Sequence, residues 1–146
     1  MLLLWLDLNS SYAHSSLALP AIHAQVEGKE GNVEWKKVSA TINSNVGSVV
    51  AEIVAARPDV VAATAWLFTH EVLLKITSRV KALLPECTII LGGPEMLGDN
   101  EEYLRRNRHV DCVFRGEGEL GFHEWLNVYD IPSRWNEVVG VCWLDT

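Results

Sequence analysis

The sequence is poor in cysteine and has no long hydrophobic run. Its 146 residues include three cysteines, at positions 87, 112 and 142, which are too few and too widely spaced for a disulfide framework or a CxxC metal site. Free thiols fit a reducing cytoplasm. The longest nearly apolar run, residues 60–68, is far shorter than the ~20 residues that cross a bilayer. The apolar residues 1–6 follow no basic segment, so we expect neither a signal peptide nor a membrane span.

Basic residues are also scarce. The chain has 12 Lys and Arg against 19 Asp and Glu, which gives a net charge of -7 and a pI of about 5.1. Such a charge disfavours nonspecific binding to nucleic acid or to an anionic membrane. Apolar residues make up 49% of the sequence and charged residues 21%, which is ordinary for a folded domain with one core. We therefore predict a soluble cytoplasmic protein.

The motifs of common catalytic and nucleotide-binding sites are missing as well. The sequence contains no GxSxG or GxxxxGK[ST], and no GxGxxG follows the first predicted strand. Asp7 has no acidic neighbour that would complete a Mg²⁺ pocket. A receiver domain would need an Asp where Ala65 stands and a Lys where Arg115 stands. We therefore assign no catalytic residue to this chain.

Apolar runs alternate with amphipathic stretches along the whole chain. Strands that are apolar throughout indicate a sheet covered on both faces, and alternating strands and helices indicate parallel βα units. We predict an α/β fold, a flavodoxin-like (Rossmann-type) three-layer sandwich with a five-stranded parallel sheet in the order 2-1-3-4-5. The predicted strands are residues 2–8, 33–40, 60–65, 88–91 and 111–114, and the predicted helices are 15 or 16–26, 46–56, 70–84, 100–106 and a last helix that contains 122–126.

Three of these helices have candidate capping residues. Asn43 or Ser44 can cap the helix 46–56, and Thr69 can cap the next one. Asp99, with Glu102 three residues later, predicts a capping box. In the helix after Thr69, apolar residues at helical spacing predict which face is buried. They are Leu73, Ile76, Val80, Leu83 and Leu84.

The C-terminal residues depart from the βα alternation. Residues 138–143 have strand character but no partner strand in the predicted scheme. We therefore expect residues 1–130 to form the α/β domain. Residues 131–146 would be a linker strand leading to a domain that this chain does not contain, so that the chain is a fragment of a longer protein.

Ligands of open parallel sheets bind beyond the carboxyl ends of the strands, where the strand order reverses. Here those loops are residues 9–16, 65–70, 92–100 and 115–119. Gly92 and Gly93 carry no Cβ that would keep a flat ligand off the backbone; the alternative is a tight turn that needs positive φ. Glu117, beside Gly116, can accept hydrogen bonds from ligand amides or can simply belong to a loop before a helix N-terminus.

Two histidines and two aromatic residues add to the candidate site. His14 and His70 can each bind a metal through a neutral imidazole; alternatively, His14 is an ordinary loop residue and His70 a capping residue. Trp66 and Phe68 flank the end of the third predicted strand. We expect one of the two in the core and the other as a flat apolar wall of the site.

Three segments of the sequence resemble a known family. Residues 58–66, 85–95 and 111–122 contain PDVVAATAW, PECTIILGGPE and DCVFRGEGELGF. These segments are similar to the N-terminal cobalamin-binding domain of cobalamin-dependent radical S-adenosylmethionine enzymes. That group includes methyltransferases and the anaerobic Mg-protoporphyrin oxidative cyclase of bacteriochlorophyll synthesis. The C-terminal segment 139–143 resembles the strand that leads into the radical domain of these enzymes.

The resemblance implies a cobalamin-binding module and a set of site residues. His14 stands where the wider superfamily has the histidine of a DxHxxG loop, the lower ligand of cobalt, although the Asp and Gly of that motif are missing here. Leu67 and Thr69 match part of the SxLxT segment of the same superfamily, and Gly92-Gly93 match a third superfamily motif, a GG pair. The corrin would cap the sheet and its nucleotide tail would lie near these residues. The implied cofactor-binding residues are Asn9, Ser10, Tyr12, His14, Ser15, Trp66, Leu67, Thr69, Gly92, Gly93, Pro94, Glu95, Gly116 and Glu117.

The resemblance also implies what a complete enzyme would add. A radical domain needs a CxxxCxxC loop for a [4Fe–4S] cluster, and the three isolated cysteines do not supply one. The cluster, S-adenosylmethionine and a small-molecule substrate would therefore belong to a C-terminal radical S-adenosylmethionine domain of the full-length protein. The parent would be a methyltransferase or an oxidoreductase, whereas the isolated chain would only carry the corrin.

Two other interpretations remain open from the residues alone. A flavodoxin-like electron carrier would bind flavin mononucleotide, with Ser10, Ser11, Ser15 and Ser16 around its phosphate at a helix N-terminus. A cofactor-free interaction domain would have its cleft filled by side chains such as Trp66 and Phe68.

Overall fold

The computed structural model describes residues 1–10, 23, 33–116 and 118–145, and for residues 119 and 120 it describes the backbone only. Strands and helices alternate along these residues. The strands are β1 (Leu2–Asn9), β2 (Glu34–Thr41), β3 (Val60–Thr64), β4 (Thr88–Gly92), β5 (Cys112–Phe114) and β6 (Val141–Trp143). The helices are α1 (Val46–Ala56), α2 (His70–Leu83), α3 (Asn100–Arg106) and α4 (Gly118–Leu126). Short 3-10 helices cover Pro94–Met96 and Pro132–Glu137. The predicted helix between β1 and β2 lies outside the described residues.

The strands form one sheet in the order β2-β1-β3-β4-β5-β6. The first five are parallel and in the predicted order, whereas β6 pairs antiparallel with β5. The predicted α/β, flavodoxin-like arrangement is confirmed, but the count of five strands is corrected to six. The expectation that the C-terminal strand has no partner in this chain is wrong, because Val141 pairs with Phe114 and Cys142 with Val113.

Each sheet face carries its own apolar core, as the predicted burial on both faces requires. Successive residues of a strand point to opposite faces, so Leu4 and Leu6 enter the core under α1 and α2, while Leu3 and Trp5 enter the core under α4. The second core is rich in aromatic residues. They are Trp5, Phe114, Phe122, Trp125 and Trp135.

The segment after α4 packs against this aromatic core. Trp135 is buried, and its indole Nε1 donates to the carbonyl of Val128 at 2.9 Å. Its ring lies 6.0 Å from that of Trp125 and 6.2 Å from that of Trp143, measured between centroids. Residues 132–143 therefore contribute a side chain and a strand to the fold.

The helix starts differ in detail from the prediction. Asn45, and not Asn43 or Ser44, caps α1, because its Oδ1 accepts from the Ser48 N–H at 2.9 Å. Thr69 occupies the cap position of α2 but makes no side-chain capping bond. At α3 the Asp99 carboxylate accepts from the Glu101 N–H. The capping box is incomplete, since Glu102 pairs with Arg106.

The predicted apolar stripe of α2 is confirmed over most of its length. Leu73, Ile76 and Val80 are buried against the sheet, and Leu84 is half-buried just beyond the helix. Leu83, the last residue of α2, is exposed. Among the described residues, no helix combines the length and the apolar character that crossing a membrane requires.

Candidate functional site

The described residues that follow β1, β3, β4 and β5 lie at one edge of the sheet, the carboxyl edge, because these strands are parallel neighbours. Thr64 pairs with Gly92 at the ends of β3 and β4. The Ala65 N–H then donates to the Gly92 carbonyl at 2.7 Å. This bond holds the loop after β3 against the loop after β4. The two loops with the strongest sequence signals are thus brought together.

Gly93 is required by the fold itself. Its φ is +102°, and an added Cβ would lie 2.7 Å from Thr64 Cγ2 and 2.9 Å from the Ala65 carbonyl oxygen. No side chain fits that space without moving backbone. The tight-turn interpretation therefore applies to Gly93.

Gly92, in contrast, is not required by the turn. Its φ is not in the left-handed region, and an added Cβ would make an ordinary contact, 3.8 Å from Phe114 Cβ. Gly98 and Gly116 leave open space, since a Cβ at either would meet nothing within 4 Å, although φ +87° restricts Gly116 to glycine. The carboxyl edge is therefore free of side-chain bulk at three positions, two of which the fold does not demand.

Apolar side chains stand exposed at the same edge. Leu67 is 81% exposed, Phe68 58% and Leu97 56%, although burial would be favourable for each of them. Trp66 is half-buried and stacks on Phe68, with ring centroids 6.1 Å apart and planes at 12°. The pair lies at the loop surface, so within the described part of the chain these two side chains do not fill the cleft.

Thr69 lies inside the protein. It is fully buried, and its Oγ1 donates to the Trp66 carbonyl at 3.4 Å. The Thr69 N–H donates to the same carbonyl at 3.1 Å. The hydroxyl therefore closes the turn of residues 66–69, which sets the position of Leu67 and Phe68.

A hydrogen-bonded pair beside this turn was not predicted. His70 Nε2 lies 2.7 Å from the Tyr103 hydroxyl, and the two rings stack with centroids 5.3 Å apart. Burial, and to a smaller extent the charge of Glu95, raises the pKa of Tyr103, so the hydroxyl stays protonated. His70 thus joins α2 to α3, a partnership that no local sequence signal reveals. Within the described part of the chain, no group of three or more His, Cys, Asp or Glu side chains is placed to hold a metal ion.

A second unpredicted pair lies on β1. Asn9 ends the strand, and its Nδ2 donates to Asp7 Oδ1 at 2.9 Å. Both side chains are more than nine-tenths buried, on the sheet face of Leu3 and Trp5. Lys37 Nζ lies 3.9 Å from Asp7 Oδ2.

A groove of about 630 Å³ adjoins the carboxyl edge. Gly98 and Arg115 form its part at the edge, and α3 and β6 form its walls through residues such as Leu104 and Cys142. Arg115 is exposed at the end of β5, where its N–H donates to the Gly140 carbonyl at 2.7 Å.

The amino edge of the sheet carries a structural ion pair instead. Lys81 Nζ lies 2.9 Å from Asp111 Oδ2 and donates to the Cys87 carbonyl at 2.7 Å, while the Ile89 N–H donates to Asp111. Burial raises the pKa of the Cys87 thiol to about 12, so this thiol is not a nucleophile. The opposite edges are therefore chemically distinct.

The remaining predicted site residues divide into two groups. Ser10 and Glu95 are half-buried at the carboxyl edge and Pro94 is exposed there. The others lie outside the described residues and stay predictions from the sequence. They are Tyr12, His14, Ser15 and Glu117.

Comparison with known proteins identifies the family. Residues 6–126 match the family described as "B12 binding domain". This match begins within β1, ends with α4 and includes the sequence of all four loops of the carboxyl edge. The chain belongs to the B12-binding domain family.

Two curated relatives match this B12-binding domain in sequence. One is the cobalamin-dependent radical SAM methyltransferase TokK of Streptomyces tokunonensis, 29% identical over 69 residues. The other is the 2-(S-pantetheinyl)-carbapenam-3-carboxylate methyltransferase of Streptantibioticus cattleyicolor, 30% identical over 69 residues. Each match covers 47% of this chain and 10% of the relative. The matched segment thus spans about a tenth of the length of these enzymes.

Solved structures share the fold of this B12-binding domain at low sequence identity. The radical enzyme OxsB, with aqua-cobalamin and S-adenosylmethionine bound, superposes with a TM-score of 0.77 at 12% identity, over 98% of this chain and 21% of OxsB. The methyltransferase TsrM of Kitasatospora setae gives 0.72 at 15% identity, over 97% of this chain and 28% of TsrM. A cobalamin-binding protein of Desulfitobacterium hafniense gives 0.60 at 15%, over 92% and 58%.

The described residues of the carboxyl edge fit a corrin. A broad macrocycle needs an open surface, which the absent side chains of Gly92, Gly98 and Gly116 provide. It also needs apolar contacts, which Leu67 and Leu97 can supply because they are exposed.

Proposed function

We propose that this B12-binding domain holds cobalamin at the carboxyl edge of its sheet. The observation that carries the proposal is the combination of open glycine positions and exposed apolar side chains at one edge. Gly92 and Gly98 lack bulk without a structural reason, and Leu67 is exposed without a partner among the described residues. Covering this edge with a corrin would remove the apolar surface from water.

Individual residues would have distinct roles in this site. Leu67 and Leu97 would contact the apolar surface of the corrin, while Gly92 and Gly116 would let it approach the backbone. Thr69 would act from inside, by fixing the turn that presents Leu67. The remaining predicted residues would surround the ring or its nucleotide tail. They are Asn9, Ser10, Trp66, Gly93, Pro94 and Glu95 at the described edge, together with Tyr12, His14, Ser15 and Glu117.

The chemistry of the site would come from the cofactor. Bound cobalamin supplies a cobalt centre for methyl transfer or radical chemistry. The chain's own contribution would be to bind and orient the corrin and to keep water from one face of it. His14 is proposed as the lower ligand of cobalt.

The same proposal extends to a longer parent enzyme. The chain corresponds to a small part of its curated relatives, two methyltransferases. We place a C-terminal radical S-adenosylmethionine domain, with a [4Fe–4S] cluster and S-adenosylmethionine, in the same full-length protein. Residues 1–130 would be the binding domain, and residues 131–146, which pack against it through Trp135 and β6, would lead on to the radical domain. That domain would act on a small-molecule substrate as a methyltransferase or an oxidoreductase, in the cytoplasm.

Mixing the purified chain with hydroxocobalamin tests this function. We expect the visible spectrum of the corrin to shift and the corrin to co-elute with the protein, whereas flavin mononucleotide elutes free. Leu67→Gln should weaken corrin binding several-fold. The matched control is Leu83→Gln, which changes another exposed leucine, 61% exposed, at the far end of α2. Retention of flavin instead of corrin would contradict the proposal.

A further inference from the structure

The carboxyl group of Asp7 is buried in the sheet. It lies on β1, a central strand, where a charged group is costly unless it is paired. Asp7 is 6% exposed and Asn9 is 8% exposed. Their contact, Asn9 Nδ2 to Asp7 Oδ1 at 2.9 Å, joins two side chains on the same face of one strand.

This contact fixes the orientation of the Asn9 amide. An ionised carboxylate only accepts hydrogen bonds, so it selects the NH2 end of a neighbouring amide. Lys37 Nζ lies on the other side of the same carboxyl group, 3.9 Å from Asp7 Oδ2. Because Nδ2 is engaged by Asp7, Oδ1 is the amide atom that can accept a hydrogen bond from a ligand.

The position of Asn9 is that of a ligand-contacting residue. In the sheet, β2 lies on one side of β1 and β3 lies on the other side. The chain therefore runs from β1 to β2 in one direction across the sheet and then crosses back past β1 to β3. The strand order reverses beside β1. Ligands of open α/β sheets bind at this switch point, outside the carboxyl ends of the strands. Asn9 is the last residue of β1.

We propose that Asp7 is a positioning residue of the corrin site, which holds Asn9 Oδ1 ready to accept a hydrogen bond from a peripheral carboxamide of the corrin. The inference rests on the proposed function, because it names how that site recognises its ligand. Cobalamin carries several primary carboxamides at the rim of its ring. An oriented acceptor favours an amide N–H and rejects a carboxylate at the same position, so Asp7 and Asn9 together select for the amidated corrin.

A double-mutant cycle on the intact chain tests the coupling. Asn9→Ala removes the acceptor and should weaken hydroxocobalamin binding about tenfold, the scale of one hydrogen bond. Asp7→Asn keeps the shape but lets the Asn9 amide turn over, so a loss of about threefold is expected. In the Asn9→Ala background, Asp7→Asn should cause no further loss, since Asp7 acts through Asn9.

A second ligand separates recognition from a structural role. The wild-type chain should bind hydroxocobalamin about tenfold more tightly than its monocarboxylic acid derivative with one peripheral amide hydrolysed near this contact. Asp7→Asn should reduce that preference, because a turned amide can donate to the carboxylate. Asn107→Asp is the matched control. It removes an amide donor that serves the Tyr103 carbonyl at the C-terminus of α3, and it should leave both corrin affinity and preference unchanged.

The outcomes distinguish this inference from the proposed function. If the folded wild-type chain retains no corrin, the proposed function fails. If the wild type binds corrin but the losses of affinity from Asp7→Asn and Asn9→Ala are additive, the positioning role is overturned while cobalamin binding stands. The same conclusion follows if Asp7→Asn keeps the preference for hydroxocobalamin over its monocarboxylic acid derivative. Loss of affinity that only parallels loss of thermal stability would also overturn it.

Discussion

At the scale of single residues, two adjacent glycines have different functions. Gly93 has a positive φ and packs against Thr64 and Ala65, whereas Gly92 has room for a Cβ and an ordinary strand conformation. The fold explains Gly93 only. Under the proposed function, the absence of a side chain at Gly92 makes room for the corrin.

Alanine substitution separates these two functions. Gly93→Ala should lower the free energy of unfolding by about 2–3 kcal/mol, because it combines a disfavoured φ with a steric clash. Gly92→Ala should change stability by less than about 0.5 kcal/mol but weaken corrin binding about tenfold. Urea unfolding and corrin titration measure both. Equal losses of stability in the two variants would contradict the assignment.

The sequence alone predicts the glycines but not the side-chain pairs. Gly92-Gly93 directly follow an apolar strand, which is a local signal. His70 and Tyr103 are 33 positions apart, and their contact exists only because α2 and α3 lie side by side. Asp7 and Asn9 are close in sequence, but an isolated acid in a strand gives no indication that it orients an amide.

At the scale of secondary-structure elements, the strand after α4 has a pairing that the sequence pattern does not predict. Strands that alternate with helices predict parallel neighbours, so the pattern gave the strand at residues 141–143 no partner. That strand is three residues long, and it joins β5 after a 3-10 helix that buries Trp135. Its pairing depends on tertiary contacts of one tryptophan, which hydrophobic periodicity does not encode.

The packing of this segment can be tested with one substitution. Trp135→Ala should destabilise the chain by about 3–5 kcal/mol, because it leaves a cavity beside Trp125 and Trp143 and removes the bond to Val128. Val139→Ala, at an exposed position of the same segment, should have little effect. Thermal unfolding followed by circular dichroism measures both. A Trp135 variant as stable as the Val139 variant would show that residues 131–146 are separate from the domain.

The contact between α2 and the residues before β5 predicts a pH dependence. His109 Nε2 lies 3.0 Å from Thr77 Oγ1, and burial, assisted by the charge of Lys81 and opposed by that of Asp111, lowers the pKa of His109 below 6.5. The unfolded chain thus binds the proton more readily than the folded one. The stability that this group contributes is complete above pH 6.5 and is lost as the pH falls through the folded-state pKa.

His109→Gln isolates this contribution. Glutamine keeps an amide that can reach Thr77 but does not titrate. Between about pH 7.5 and about pH 5.5, the wild type should lose more stability than the variant, as measured by urea unfolding at each pH. The same loss in both proteins would assign the pH dependence to other groups.

At the scale of the whole molecule, the two edges of the sheet differ in chemistry. The amino edge is closed by the Lys81–Asp111 pair and buried thiols. The carboxyl edge carries open glycine positions and exposed Leu67, Phe68 and Leu97. The parallel order of the first five strands, which the apolar runs predict, collects the loops at this edge. Alternating strands and helices thus suffice to locate the site, but the details of recognition depend on contacts between distant residues.

Hydrogen exchange with and without hydroxocobalamin tests this account most directly. Bound corrin should slow amide exchange in residues 65–69 and 92–98, at the carboxyl edge, and leave residues 84–88 at the amino edge unchanged. Protection of residues 84–88, or corrin binding without any slowing at residues 65–69 and 92–98, would contradict the assignment of the carboxyl edge as the cobalamin site.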